Sequence, residues 1–260
     1  MLFKPCRVFL LLPLFSCNNN KANSYNADNT VAASHLKTPL PYQNIQQISL
    51  PGGYVRIESD SNLFAAWLRK IKLKTDRTVY LFNGRKKENQ SAQFAVLDIT
   101  VGKKDLQQCA DAVIRMRAEY LFSQKEFGKI LFTDNEGKEY LFKPPYNRQH
   151  LDTYLDLVFG MCGSASLSKQ LTSSVVKDIL PGDILIRGGF PGHAVIVMDV
   201  ATNKAGSKIY LLAQSYMPAQ DIHLLNNPSD KNLSPWYQVT AAEKMVTPEY
   251  LFTTNDLKKW

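Results

Sequence analysis

Apolar and polar positions follow two rhythms along this chain, and the switches between them mark its elements. A period near 3.6 runs through Cys109, Val113, Met116 and Tyr120, which predicts a helix with one apolar face. Asp105 with Gln108 three residues later has the form of a capping box, so this helix is expected to begin at Asp105 and to end by Gly128. A second helix is expected over residues 148–161, stopped at Gly163, with a further short turn over 167–171. A shorter helix over 62–70 would be capped by Ser61, with Leu63, Phe64, Trp67 and Leu68 at helical spacing.

Three β-branched runs have the other rhythm. Residues 183–186 follow Pro181-Gly182, residues 193–200 follow Pro191-Gly192, and residues 208–214 come third. Their short connections predict an antiparallel meander. Upstream, Tyr54-Val55-Arg56-Ile57-Glu58, residues 79–82 and residues 94–101 read as strands, with Asn83-Gly84 as a hairpin turn. Pro218, Pro228 and Pro235 predict an irregular tail whose Trp236, Tyr237 and Trp260 cover the core. Tyr-Leu-Phe recurs at Tyr80, Tyr120, Tyr140 and Tyr250, but the unequal spacing makes no structural repeat. The sum is an α+β class: a central helix packed on an antiparallel sheet with an N-terminal strand–helix elaboration, one domain over 46–260.

The first 45 residues are of a different kind. Lys4 and Arg7 precede an apolar run from Val8 to Phe15, the pattern of a secretory leader over 1–16. That run is shorter than the roughly 20 apolar residues that span a bilayer. Leu14, Ser16 and Cys17 resemble the bacterial lipoprotein signal, and the resemblance implies cleavage before Cys17 and lipid on Cys17. The chain would then sit in the cell envelope, anchored to a membrane by its acyl chains, on the periplasmic or the surface face. The other reading is an ordinary leader with an incidental cysteine. Residues 17–45, rich in Asn, Ala, Ser and Thr, read as the lipidated residue and a flexible tether.

Charge and cysteine count narrow the partners. The formal charge is +8, and loss of Lys4 and Arg7 with the leader leaves +6. The positives are scattered, and Arg85-Lys86-Lys87 is followed by Glu88, so a solvated basic surface is expected. Nucleic acid is not an expected partner outside the cytoplasm; anionic wall polymers are compatible. No HExxH, CxxC, close His pair or Gly-rich phosphate loop occurs, so neither metal nor cofactor is expected. Cys6 leaves with the leader and Cys17 carries lipid, which leaves Cys109 and Cys162, paired with each other or free.

One constellation has the parts of covalent catalysis. Cys109 lies near a helix start, where the dipole favours a thiolate; His193 opens a strand as the base; Gln214 ends the next strand and can orient the ring. Gln107 or Gln108, with nearby backbone N–H groups, is an oxyanion candidate. Gly192, Ser215 and Tyr216 are candidates to line a substrate groove. Each has a plainer reading: Cys109 as a packing residue, His193 bonded to a loop carbonyl, Gln214 satisfying backbone. Cys162 is a lesser nucleophile candidate, His223 an alternative ring, and Asp183 a structural turn carboxylate.

The order of these parts resembles papain-like folds, and the NlpC-like cell-wall peptidases in particular. It runs from a cysteine near a helix start to Pro181-Gly182-Asp183 opening a strand, then Gly192-His193-Ala194-Val195-Ile196-Val197, then a polar residue on the next strand. The resemblance covers about residues 105–215 and implies a papain-like cysteine hydrolase, a peptidase or amidase, acting on cell-wall peptide or a related amide. The segments VYLFNGRKKENQ, AVLDITVGKKDLQQCADAVIRMRAEYL, PGDILIRGGFPGHAVIVMDV and LLAQSYMPAQDIHLL resemble a bacterial lipoprotein family called domain of unknown function 4846. That family implies membership and no mechanism. The competing expectation is a non-catalytic envelope lipoprotein that binds a wall fragment, glycan or protein partner through the same groove.

Overall fold

A computed structural model describes residues 41–58 and 63–260. The leader, Cys17, nearly all of the tether and the Ser61 cap lie outside the described residues. The helices are α1 (Leu63–Arg69), α2 (Cys109–Ser123), α3 (Arg148–Met161) and α4 (Ser164–Gln170). The first nine strands are β1 (Tyr54–Arg56), β2 (Gln93–Val96), β3 (Leu131–Thr133), β4 (Glu139–Leu141), β5 (Thr172–Ser173), β6 (Ile184–Arg187), β7 (His193–Asn203), β8 (Lys208–Gln214) and β9 (His223–Leu225). Four more follow: β10 (Tyr237–Gln238), β11 (Lys244–Val246), β12 (Leu251–Thr253) and β13 (Leu257–Lys259).

This is the expected α+β class, built on a large antiparallel sheet. Its strand order is β2-β9-β8-β7-β6-β13-β5, with β1 also on β7 and β10 also on β8. The predicted meander is its centre: Ile184 faces Ile196, and Ile196 in turn faces Ala213. β7 reads as a nearly continuous apolar run because both sheet faces are buried. Ala194, Ile196 and Met198 join the core under α2, with Val113, Ile114 and Met116. Val195 and Val197 point the other way, to Leu185, Phe252 and Leu257. Each such fully buried side chain is worth roughly 1.5–3 kcal/mol relative to exposure.

A bulge between Val197 and Asp199 turns one carboxylate into this interior. Asp199 is fully buried, and it accepts Arg56 Nε at 2.6 Å and Arg69 Nε at 2.7 Å. The N-terminal strand β1 and helix α1 are thereby riveted to β7.

Several elements differ from the sequence reading. α2 begins at Cys109, four residues late, because Asp105 Oδ1 takes the Ala219 N–H at 2.7 Å instead of capping a helix. Gln108 becomes the cap residue, and Asp111 Oδ2 accepts its N–H at 2.9 Å. α2 then stops at Ser123, where Lys125 adopts a left-handed φ of 59°, before the expected Gly128. Residues 79–82 form single bridges, Tyr80 to Lys86 and Leu81 to Gln220, and no strand; Gly84 still makes the turn, at φ 79°. β2 ends at Val96 because Asp98 N–H turns away to Lys72 O. The 167–171 turn is the end of α4.

The tail departs most. It carries β10 to β13, and β13 lies between β6 and β5 in the main sheet. Pro218 lies between β8 and β9, and Pro228 and Pro235 between β9 and β10, where no ladder N–H is needed. Trp236 and Tyr237 are buried and Trp260 packs on the core, as expected. Residues just before position 46 also join the body, with Ile45 fully buried and Tyr42 against the core.

Candidate active site

The start of α2 meets the start of β7. Cys109 occupies the first helical position, where backbone N–H groups lack intrahelical acceptors. Its thiol lies against the backbone N–H of Ala194, the residue after His193. Cys109 and His193 line one cavity of about 470 Å³, with Gln108, Cys162, Gly192, Tyr216 and Tyr250 among its walls. Cys109 keeps partial exposure, whereas His193 is only 1% exposed.

The ring of His193 is held from behind. Its Nε2 lies 2.8 Å from Gln214 Oε1, so the ring N–H donates and the amide oxygen accepts. Tyr216, Tyr250 and Phe252 flank it, with ring centroids at 4.9, 5.0 and 5.8 Å. Gln214 is equally buried, and its Nε2 donates to Glu249 Oε2 at 2.7 Å. Glu249 also accepts Lys87 Nζ at 2.5 Å and Asn89 Nδ2 at 3.1 Å.

Burial sets the protonation states. Desolvation pushes the Cys109 thiol above its ordinary value; the Ala194 N–H pulls the other way and does not win. Desolvation likewise lowers His193 to about 4 against its hydrogen bond to the Gln214 oxygen, which raises it. At neutral pH the pair is therefore a thiol and a neutral imidazole. Burial also holds Asp111 well above the carboxylate range, with its Oδ1 lacking a hydrogen-bond partner. Cys162 is free and buried, and desolvation raises it to about 11, which leaves it the poorer nucleophile.

The other sequence candidates divide. Gly192 and Tyr216 line the cavity. Gly192 is there for space: a Cβ would stand 2.3 Å from Ser164 Oγ and 2.4 Å from Gly189 O. Ser215 is fully buried, its hydroxyl 2.8 Å from Gln107 O and 2.9 Å from Gln220 O, so it ties loops together and does not reach the groove. Gln107 is turned away as well, its Oε1 accepting Arg115 at 2.6 Å and its Nε2 reaching Gln220 O at 3.5 Å. Gln108 remains the amide at the cavity, 3.3 Å from Asp105 Oδ1, beside the N–H groups of the first helical turn. His223 is fully buried, with Nδ1 2.9 Å from Asp221 O. Asp183 is structural as read, accepting Leu180 N–H at 3.0 Å. Sequence reasoning missed Glu249, Tyr250 and Phe252 because they lie in the tail read as irregular; only the need of a buried Gln214 for an acceptor pointed to such a partner.

Among the described residues no group of three His, Cys, Asp or Glu could hold a metal ion, and no helix is long and apolar enough to cross a membrane. A second cavity, about 460 Å³, is lined by Arg115, Glu119, Arg148 and Asp152, whose charges already pair with one another.

Fold and site together define an α+β protein with a buried histidine–glutamine pair beside a helix-start cysteine. The sequence profile described as domain of unknown function (4846) matches residues 45–259, and the chain belongs to that family. No curated protein and no solved structure matches it.

Proposed function

We propose that this chain is a papain-like cysteine hydrolase, a peptidase or amidase, carried on the envelope as a lipoprotein and acting on cell-wall peptide or a related amide. One observation carries the reading. Cys109, at the first turn of the central helix, shares a cavity with His193, whose Nε2 is held by Gln214 at 2.8 Å. With Nε2 protonated, Nδ1 is the ring atom that can act as base. The Sγ–H proton passes to Nδ1 as sulfur bonds to the substrate carbonyl carbon. The oxyanion meets the helix-start N–H groups and Gln108. The C–N bond then breaks, and Nδ1 returns the proton to the leaving amine. Water completes the cycle by splitting the thioester through the same base. Because thiol and imidazole are both neutral at rest, proton transfer accompanies attack and no preformed ion pair is needed.

The same neutrality favours a second reading, a binding module that retains the groove without turnover. Incubation with purified wall muropeptides, followed by mass spectrometry, separates the two. The hydrolase cleaves an amide, and Cys109→Ala lowers the rate roughly 10³-fold or more. Cys162→Ala retains cleavage. Equal turnover by wild type and Cys109→Ala would remove the thiol from the mechanism; binding without cleavage by both would leave the module.

A further inference from the structure

An amide side chain is a poor device for fixing a histidine tautomer unless something fixes the amide. Gln214 can present either its oxygen or its NH₂ to His193, and the two ends have nearly the same shape. With the oxygen forward, His193 carries its proton on Nε2 and Nδ1 is bare. With the NH₂ forward, Nε2 must accept, the proton moves to Nδ1, and the ring cannot take a proton from a thiol at that atom. The orientation of one buried amide thus decides whether the site has a base.

Two neighbours settle it. Glu249 receives donors from Lys87, Asn89 and Gln214, and a carboxylate with such neighbours can only accept. The Gln214 NH₂ must therefore point to Glu249. His223 agrees: its Nδ1 faces the Asp221 carbonyl at 2.9 Å and must donate there. Its Nε2 is then an acceptor, 3.4 Å from Gln214 Nε2. Reversing the amide would put its oxygen against a carboxylate and a lone pair, with Gln214 and His223 themselves buried.

We infer that Glu249, held by Lys87, is a positioning residue that locks the Gln214 amide with its oxygen toward His193 and so sets His193 as the Nε2–H tautomer, with Nδ1 as the site's base. The inference rests on the hydrolase reading for its catalytic meaning only; the tautomer itself is independent of turnover. Glu249 touches neither the cavity thiol nor the substrate space, and it acts through Gln214. Because it comes from the segment between β11 and β12, outside the stretch that resembles cell-wall peptidases, the device belongs to this chain's own elaboration.

Long-range ¹H–¹⁵N correlation of the imidazole nitrogens, on the full chain labelled with ¹⁵N-histidine at neutral pH, reads the tautomer directly. Wild-type His193 is expected as Nε2–H. Glu249→Gln can offer either end of its own amide, so Gln214 is freed to reverse, and an Nδ1–H population of a tenth or more is expected. The exchange variant Gln214→Glu with Glu249→Gln places the acceptor-only group against His193 and is expected to restore Nε2–H. Thermal unfolding of each variant identifies any that fails to fold, in which case Lys87→Met supplies the same test by loosening Glu249. Nδ1–H in the wild type, or an unchanged tautomer in a folded Glu249→Gln protein, overturns the inference. A correct tautomer pattern without muropeptide cleavage would keep the lock and sink the hydrolase.

Discussion

At the scale of single residues, the buried ionisable groups make acid stability a test of the site. His193 is lowered to about 4 and His223 to about 3, both chiefly by desolvation. An unfolded chain binds protons at these rings near pH 6.5, so acidification favours unfolding. The contribution of each ring is present above pH 6.5 and is lost as pH falls toward 4, with His193 alone accounting for about 3 kcal/mol. Asp183 has the opposite sign. Burial raises it to about 6, so its contribution is full below the unfolded value near 4 and is lost as pH rises through 6. Asp111, also raised by burial, acts in the same sense as Asp183, so two carboxyls oppose the two rings. Urea unfolding at pH 7, 5.5 and 4 is expected to show Asp183→Asn losing more stability on acidification than wild type, because one of the two opposing carboxyls is gone. A variant with a shallower slope than wild type contradicts this assignment. Cys109, His193 and Gln214 were legible in the sequence because each sits beside a strong local signal: a helix face, a Pro-Gly turn, a strand end. Glu249 had none, since its partners are remote in sequence and its own neighbourhood has no period.

Elements are held by fewer, stronger contacts. α1 and β1 reach the sheet through Arg69 and Arg56 on the buried Asp199. Asp199→Asn leaves two guanidinium groups facing a neutral amide, and a loss of about 3 kcal/mol in urea unfolding is expected. Val200 N–H, which also bonds Asp199 Oδ1 at 2.9 Å, still finds an acceptor in Asn, so β7 should persist. A change under 1 kcal/mol would mean that the arginines are equally content in water. The meander and α3 could be read closely from sequence because their signals are local: apolar runs between Pro-Gly turns, and Asn147 capping His150 N–H. The start of α2 could not. Asp105 looks like a cap by spacing, and only the fold reveals that the Ala219 N–H competes for it. That shift matters chemically, since it puts Cys109 at the first helical position rather than in the interior of the first turn.

Across the whole molecule, the sheet is completed by its last strand. Leu257 on β13 is fully buried and packs with Phe252, Leu185 and Val176. Leu257→Ala is expected to cost about 3 kcal/mol, measurable as a lower urea midpoint with unchanged slope. A neutral result would place β13 outside the cooperative unit. The class of fold was legible from element order, whereas the placement of β13 between β6 and β5 was not, because antiparallel pairing over long separations leaves no periodic trace.

That placement sets a timetable. During synthesis the cysteine, the imidazole and the glutamine all emerge well before residues 249–259, and until those arrive the amide is unlatched and the sheet lacks a rib. On the hydrolase reading, a partly made chain would hold the cysteine and its base with the tautomer still unlocked.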